Sequence, residues 1–305
     1  MPLPDSFVLS VPATSANLGP GFDAVGVALD LRARAAVEPA ARFSFECSGP
    51  EQPTHVGFER MLIDAMHAVH PELPRVRVHM INKIPLGKGL GSSAVARTLG
   101  VTIAARAHGI ALDRDGIAKF VCELEGHPDN ALPAVYGGIA IAASSRANES
   151  IRLPAPRDLC AIAVVPEFNL ATTAARALLP ARYDRSDFVY NTQRVALLAA
   201  ALATGSWSVL REAMNDRLHQ PYRAAVIPGL AAALRVDAPE LIGIALSGAG
   251  PSVLALLRDR VAWRPIAARI EAAFAAAGIA SRSYRLPFAP RGLVLRRYLT
   301  ERKVA

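Results

Sequence analysis

Cysteine is nearly missing from this 305-residue chain: Cys47, Cys122 and Cys160 are the only three, and they lie far apart. They offer neither a disulfide framework nor a metal knuckle, and read as small apolar side chains in a reducing compartment. Aromatic residues make up only 6%, so a core must be built from Ala, Val, Leu and Ile. No apolar run reaches the ~18 residues that span a bilayer, and residues 1–5 lack the basic and apolar regions of a signal peptide. The expectation is a soluble, cytoplasmic protein with no membrane partner. Lysine is scarce too, at Lys83, Lys88, Lys119 and Lys303, so the net charge of +8 rests on singly scattered arginines. That scatter argues against nucleic acid as a partner; a solvated basic surface or a small anionic substrate fits it better. Length and a hydrophobic content of 52% leave material for two domains.

Against this background one stretch stands out: Pro85-Leu86-Gly87-Lys88-Gly89-Leu90-Gly91-Ser92-Ser93-Ala94. Val76, Val78 and Met80 before it alternate as a strand, and residues 92–108 after it read as an Ala-rich helix. Alternate glycines allow several N–H groups to converge at the positive end of a helix that Ser92 or Ser93 would cap, which suits a phosphate. The P-loop would place Lys directly before Ser or Thr, and the dinucleotide fingerprint needs a different third spacing. Neither fits, so a third kind of phosphate loop is required.

Other segments carry polar groups on turns. Residues 13–23, with two glycines around Pro20, read as turn-forming throughout after a short strand broken at Pro12, and Thr14, Ser15, Asn17 and Asp23 are pocket candidates. Residues 31–37 and 43–47 read as antiparallel strands, and 55–70 as a helix whose His67 and His70 are surface residues. A helix from Asp113 carries Glu123 and Glu125 near its C-terminal end, where the helix dipole disfavours a carboxylate and calls for a positive partner. Either Glu offers a hard oxygen ligand for Mg²⁺, and Asp129, in the turn that follows, could orient or deprotonate an alcohol. Arg176, after Thr172 at a helix start, and Arg223 are candidates to hold a carboxylate. Helices are expected at 188–204, 209–219 and 263–277, and strands at 139–143, 159–165, 241–246, 253–257, 281–286 and 293–296. Residues 247–252 form a second small-residue loop able to close over the first. An antiparallel sheet with helices on one face gives an α+β class, with a boundary near 152–157.

In order and spacing these three loops resemble the signature motifs of the GHMP kinases, and residues 11–23 resemble the opening of the homoserine kinases within that superfamily. The resemblance implies a two-domain GHMP kinase fold: a ribosomal-S5-domain-2-like N-terminal domain over 1–157 and a ferredoxin-like C-terminal domain over 158–305. It implies ATP on Pro85, Leu86, Gly87, Lys88, Gly89, Leu90, Gly91, Ser92, Ser93 and Ala94, and Mg²⁺ on Ser92 or Ser93 with Glu123, Glu125 competing. L-Homoserine would be gripped by Asn17, Asp23, His127, Thr172, Arg176 and Arg223, with Asp129 as the catalytic candidate and a homodimer allowed. Thr54-His55 stands where many members carry an Asn near the nucleotide base. Competing expectations are a GHMP kinase for mevalonate or shikimate, or a silent sensor or nucleic-acid binder of the same fold. Gly89→Val is expected to put atoms where phosphate belongs while sparing the fold.

Overall fold

The computed structural model describes residues 5–50, 56–144, 146 and 149–297. Thr54 and His55 lie outside the described residues, as do residues 298–305.

The chain opens with β1 (Phe7–Asn17) and β2 (Gly21–Pro39), paired antiparallel. Alternation of Phe7, Leu9 and Val11 buries one face of β1, and from Val11 onward every residue is buried because other elements cover the second face. Residues 13–23 are therefore mostly strand, not turn throughout. Pro12 does not end β1; a register shift between Pro12 and Ala13 takes up the missing donor as a bulge. The reversal at Leu18-Gly19-Pro20 is tight, with Asn17 (φ 74°), Leu18 (φ 47°) and Asp23 (φ 56°) all left-handed.

β3 (Ser44–Ser48), α1 (Val56–Val69), β4 (Val76–Ile81) and α2 (Ser92–Ala107) follow. β4 alternates buried and exposed residues as its sequence requires. Twelve of the sixteen residues of α2 are buried, so it is apolar on nearly all sides and packs against α1, β1 and the two helices that follow it. These are α3 (Arg114–Glu125), capped by the Asp113 carboxylate accepting from Gly116 N–H at 2.8 Å, and α4 (Pro128–Tyr136). The sequence reading has only an Asp-Asn turn where α4 lies, because Pro133 sits inside it. Proline there removes only the bond to the Asp129 carbonyl, and a nine-residue helix packed on β1 and β2 survives the loss. Gly26 makes the packing possible, since a β-carbon there would lie 1.6 Å from the Asp129 carbonyl oxygen. β5 (Ile139–Ala142) and β6 (Ser150–Leu153) complete this part of the sheet.

β7 (Leu159–Pro166) is buried along its whole length. Its odd-numbered residues Leu159, Ala161, Ala163 and Val165 join the large core, while Cys160, Ile162 and Val164 join a second core. After it come α5 (Thr172–Ala177), α6 (Arg185–Thr204), α7 (Leu210–Ala213), α8 (Gln220–Ala224), α9 (Leu230–Ala233), β8 (Leu241–Leu246), β9 (Val253–Arg258), α10 (Arg264–Ala275), β10 (Ser281–Pro287) and β11 (Val294–Arg297). The single helix expected over 209–219 is a 3₁₀ turn at Trp207–Val209 plus α7, and Asp216 then binds the Leu218, His219 and Gln220 N–H groups in a turn. Four antiparallel strands in the order β10-β7-β9-β8 make the second sheet. β11 crosses back to pair with β1, covering an edge that would otherwise be open. The architecture is α+β, with two sheets that are antiparallel except where β3 runs parallel to β4, and helices packed on both faces of the second sheet.

Candidate active site

A cavity of about 850 Å³ opens between the β1–β2 hairpin, the glycine loop, the α3–α4 junction, residues 169–176 and Gly248–Gly250. At one end the glycine loop supplies Leu86, Gly87, Gly89, Gly91, Ser92 and Ser93. Gly87, Gly89 and Gly91 have φ of 65°, 77° and 71°, which turns alternate positions towards the cavity. Leu90 and Ala94 are wholly buried in the core, and Pro85 is buried too, so these three anchor the loop instead of facing a ligand. Lys88 also turns away: its Nζ donates to the Phe168 carbonyl at 2.7 Å and to Asn169 Oδ1 at 2.8 Å. Gly91 occupies the helix cap in place of the expected serine, with no side-chain capping bond. The first N–H groups of α2, which have no intrahelical partner, face this end.

The second small-residue loop closes directly onto the first. Ser247 Oγ donates to the Gly89 carbonyl at 2.7 Å and lies 2.8 Å from Ser15 Oγ, while Gly248 N–H donates to the Ala16 carbonyl at 3.1 Å. A β-carbon on Gly89 would lie 2.1 Å from the Ser247 carbonyl oxygen. A larger residue at Gly89 thus strikes the partner loop, and the expectation of an intact fold in Gly89→Val is corrected.

Glu125 reaches the cavity and Glu123 does not. Two residues along a helix turn a side chain by roughly 200°, and Glu123 is left exposed outside the cavity. The Glu125 side chain is 2% exposed, accepts from Ser93 Oγ at 3.0 Å and is ion-paired with Arg97. Arg97 is the positive partner that a carboxylate at a helix C-terminus needs. Four residues after Ser93, it shares that residue's helix face, a spacing visible in the sequence but passed over. Ser92 Oγ instead accepts from Gly87 N–H at 3.4 Å, within the loop itself.

The other end is strongly charged. Asp23, His127 and Asp129 bring one ligand atom each within 4.8 Å of the others. Asp129 is buried, with its Oδ1 2.6 Å from His127 Nδ1 and accepting from Asn130 N–H at 2.9 Å. Burial acts to lower the His127 pKa, but the hydrogen bond to Asp129 and the Asp129, Glu125 and Asp23 charges raise it overall. Asn17 is committed within the protein: its Nδ2 donates to the Gly248 carbonyl and its Oδ1 accepts from Asp23 N–H, both at 3.0 Å. It shapes the hairpin more than it offers free polar atoms. Thr14 and Ser15 are buried clamps, Thr14 Oγ1 donating to Asn130 Oδ1 at 2.7 Å.

Opposite the acids stand two arginines. Arg176 makes a two-pronged pair with Asp23, both contacts at 2.8 Å. Arg223 is 2% exposed and donates to His219 Nδ1 (3.0 Å), the Gly248 carbonyl (3.1 Å) and the Ala175 carbonyl (3.4 Å). Burial first, then the Arg176 charge, push its pKa down to about 10. His219, fully buried, donates from Nε2 to the Gly19 carbonyl at 2.7 Å, which leaves Nδ1 as acceptor for Arg223; burial lowers its pKa and favours this neutral form. Phe22 lies beneath both guanidinium groups, at 5.3 and 5.4 Å. His219 and Phe22 were not singled out in the sequence, since nothing local marks them. Thr172, at the first turn of α5, also lines the cavity.

Residues 59–138 match the family described as GHMP kinases N terminal domain, and residues 198–276 match GHMP kinases C terminal. The homoserine kinase of Solibacter usitatus is 42% identical over 299 residues, covering 95% of this chain and 97% of that one. A homoserine kinase of Thermus thermophilus is 42% identical over 258 residues, covering 82% and 86%. Among solved structures, a homoserine kinase from Cytophaga hutchinsonii superposes with a TM-score of 0.81 at 26% identity, covering 97% of this chain and 99% of that one. A Lactococcus lactis galactokinase shares the fold alone, with a TM-score of 0.68 at 11% identity and 95% of each chain covered. With such identity across nearly the full length of both sequences, and both halves of the pattern in place, the chain belongs to the homoserine kinases of the GHMP kinase family.

Proposed function

We propose that the cavity holds ATP and L-homoserine end to end, and that the γ-phosphoryl group passes in line to the side-chain hydroxyl, giving O-phospho-L-homoserine. The observation that carries this is the split of the cavity. One end is a glycine loop at a helix N-terminus, suited to phosphates, and the other sets carboxylates and arginines against one another, suited to an amino acid. The ammonium group would sit in the Asp23–His127–Asp129 cluster, and the carboxylate against Arg176 and Arg223, with Thr172 at its edge.

A hard divalent cation suits the oxygen donors of Glu125 and Ser93, which are already in contact. Mg²⁺ held there would neutralise phosphate charge, and Arg97 would yield its place on Glu125. Among the described residues only Oδ1 of Asp129 is engaged, so Oδ2 is available to orient the attacking hydroxyl. Positioning and charge neutralisation account for most of the rate in such transfers. The domain division we propose lies at 157/158, between β6 and β7, with β11 given back to the first sheet. Free cysteines and an ATP-dependent reaction fit a cytoplasmic enzyme.

Coupled ADP release with L-homoserine, mevalonate and shikimate tests the reading. Turnover of L-homoserine alone supports it; turnover of another alcohol with none of L-homoserine overturns it.

A further inference from the structure

The Asp23–Arg176 contact joins the two groups that the proposed substrate needs separately. Both oxygens of Asp23 accept from the two terminal nitrogens of Arg176, each at 2.8 Å, in the fork geometry that is the strongest form of this pairing. The pair spans the cavity from β2 to α5, and its side chains are 32% and 46% exposed, so it faces the ligand space and not the core. The hydrogen bond to Asp23 is also the main cause that raises the Arg176 pKa.

The surroundings fix Asp23 through its own backbone, whereas the Arg176 guanidinium is held by Asp23 and lies over the face of Phe22. Asp23 is set by a left-handed φ of 56° and by its N–H bond to Asn17. Arg223 is pinned by His219, Gly248 and Ala175. For the terminal nitrogens of Arg176, Asp23 is the only hydrogen-bond partner found among the described residues.

We propose that this pair is a latch opened by exchange with a zwitterion, and that it makes the substrate end demand both charges at once. The proposal rests on the reading that this end takes L-homoserine. An amino acid gives Asp23 an ammonium and Arg176 a carboxylate as the fork parts, so each charge released meets a new partner. A hydroxy acid or an amino alcohol must break the same fork but repairs only half of it, leaving one half-buried charge without its fork partner. Selectivity then comes from a penalty on wrong ligands as well as from contacts to the right one. A pair of preformed subsites without a latch predicts something different. There, removing one subsite gives a ligand that uses only the other no more than the through-space effect of the lost charge, which added salt screens.

Isothermal titration of wild type, Asp23→Asn and Arg176→Gln with L-homoserine, 4-hydroxybutanoate and 3-aminopropan-1-ol separates the two. In high salt, where the through-space effect of the lost charge is screened, the latch requires that Asp23→Asn bind 4-hydroxybutanoate about tenfold more tightly than wild type, roughly 1.4 kcal/mol, because Arg176 is set free. Arg176→Gln gains by a similar factor for 3-aminopropan-1-ol, and both variants lose affinity for L-homoserine. The variants lie on different elements, so either carries the test if the other is poorly folded by circular dichroism. Wild type that binds L-homoserine, with neither variant gaining for its single-charge probe, overturns the latch. Wild type that ignores L-homoserine overturns the functional reading on which it rests.

Discussion

The two ends of the cavity are built in opposite ways. The phosphate end comes from consecutive residues: Gly87 to Ser93 lie on one loop and one helical turn, and their backbone does the work. Asp23, His127, Asp129, Arg176 and Arg223 at the substrate end come from the β1–β2 hairpin, the α3–α4 junction, α5 and α8, and their side chains do the work. One end is preformed by local geometry. The other is held by charges that already satisfy one another, so a ligand there must replace contacts as well as make them.

Gly89→Val should break the comparison most severely, because it damages both ends through the loop contact. With a β-carbon 2.1 Å from the Ser247 carbonyl, activity should fall by at least about 10³-fold and stability by roughly 2–3 kcal/mol. Calorimetric melting and turnover measure both. Gly87→Ala is the control, since no atom lies within 4 Å of its β-carbon position; it should cost only about 1–2 kcal/mol for the left-handed backbone.

Glu125→Gln confines damage to the phosphate end. Loss of the buried charge leaves Arg97 without its partner, and kcat should drop by about 10²-fold or more with a higher Mg²⁺ requirement. Glu123→Gln, exposed and outside the cavity, should leave the Mg²⁺ titration at the wild-type value. The reverse result would return the metal assignment to Glu123.

Arg223→Lys confines damage to the substrate end. A lysine cannot reproduce the fork to His219, Gly248 and Ala175, so KM for L-homoserine should rise by about 10- to 100-fold at an unchanged KM for ATP. A parallel rise for ATP would mean that the two ends are not separable.

The smallest effect concerns pH. The folded His127 pKa is raised above 6.5, so the stability its positive charge adds to the bond with Asp129 is fully present below 6.5 and is lost as pH rises through the folded value. The difference in melting temperature between wild type and His127→Gln should therefore shrink with rising pH. Loss of the imidazolium charge also removes a competitor for the ammonium group, so KM for L-homoserine should fall over the same interval. A flat difference in both would place the proton elsewhere.

Legibility followed the same division between local and distant. Alternation marked β4, and glycine spacing followed by an Ala-rich run marked the loop and α2, because each depends on neighbours in sequence. The α4 helix was hidden by Pro133, whose cost is offset only by packing on β1 and β2. Pro12 read as a strand end for the same reason, since a bulge is settled by the partner strand. The resemblance favours Glu123 over Glu125, and only the face of α3 turned towards the cavity reverses that order. His219 carried no local sign at all, as its role depends on Gly19, 200 residues away.

By itself the sequence determined that a phosphate-binding loop lies between a strand and a helix, and that carboxylates and arginines stand ready elsewhere along the chain. Only the tertiary structure decided which of them meet: Glu125 with Ser93 and Arg97, Asp23 with Arg176, Arg223 with His219. Backbone conformation follows from a few adjacent residues, whereas the pairing of charges depends on which distant segments burial brings within about 3 Å.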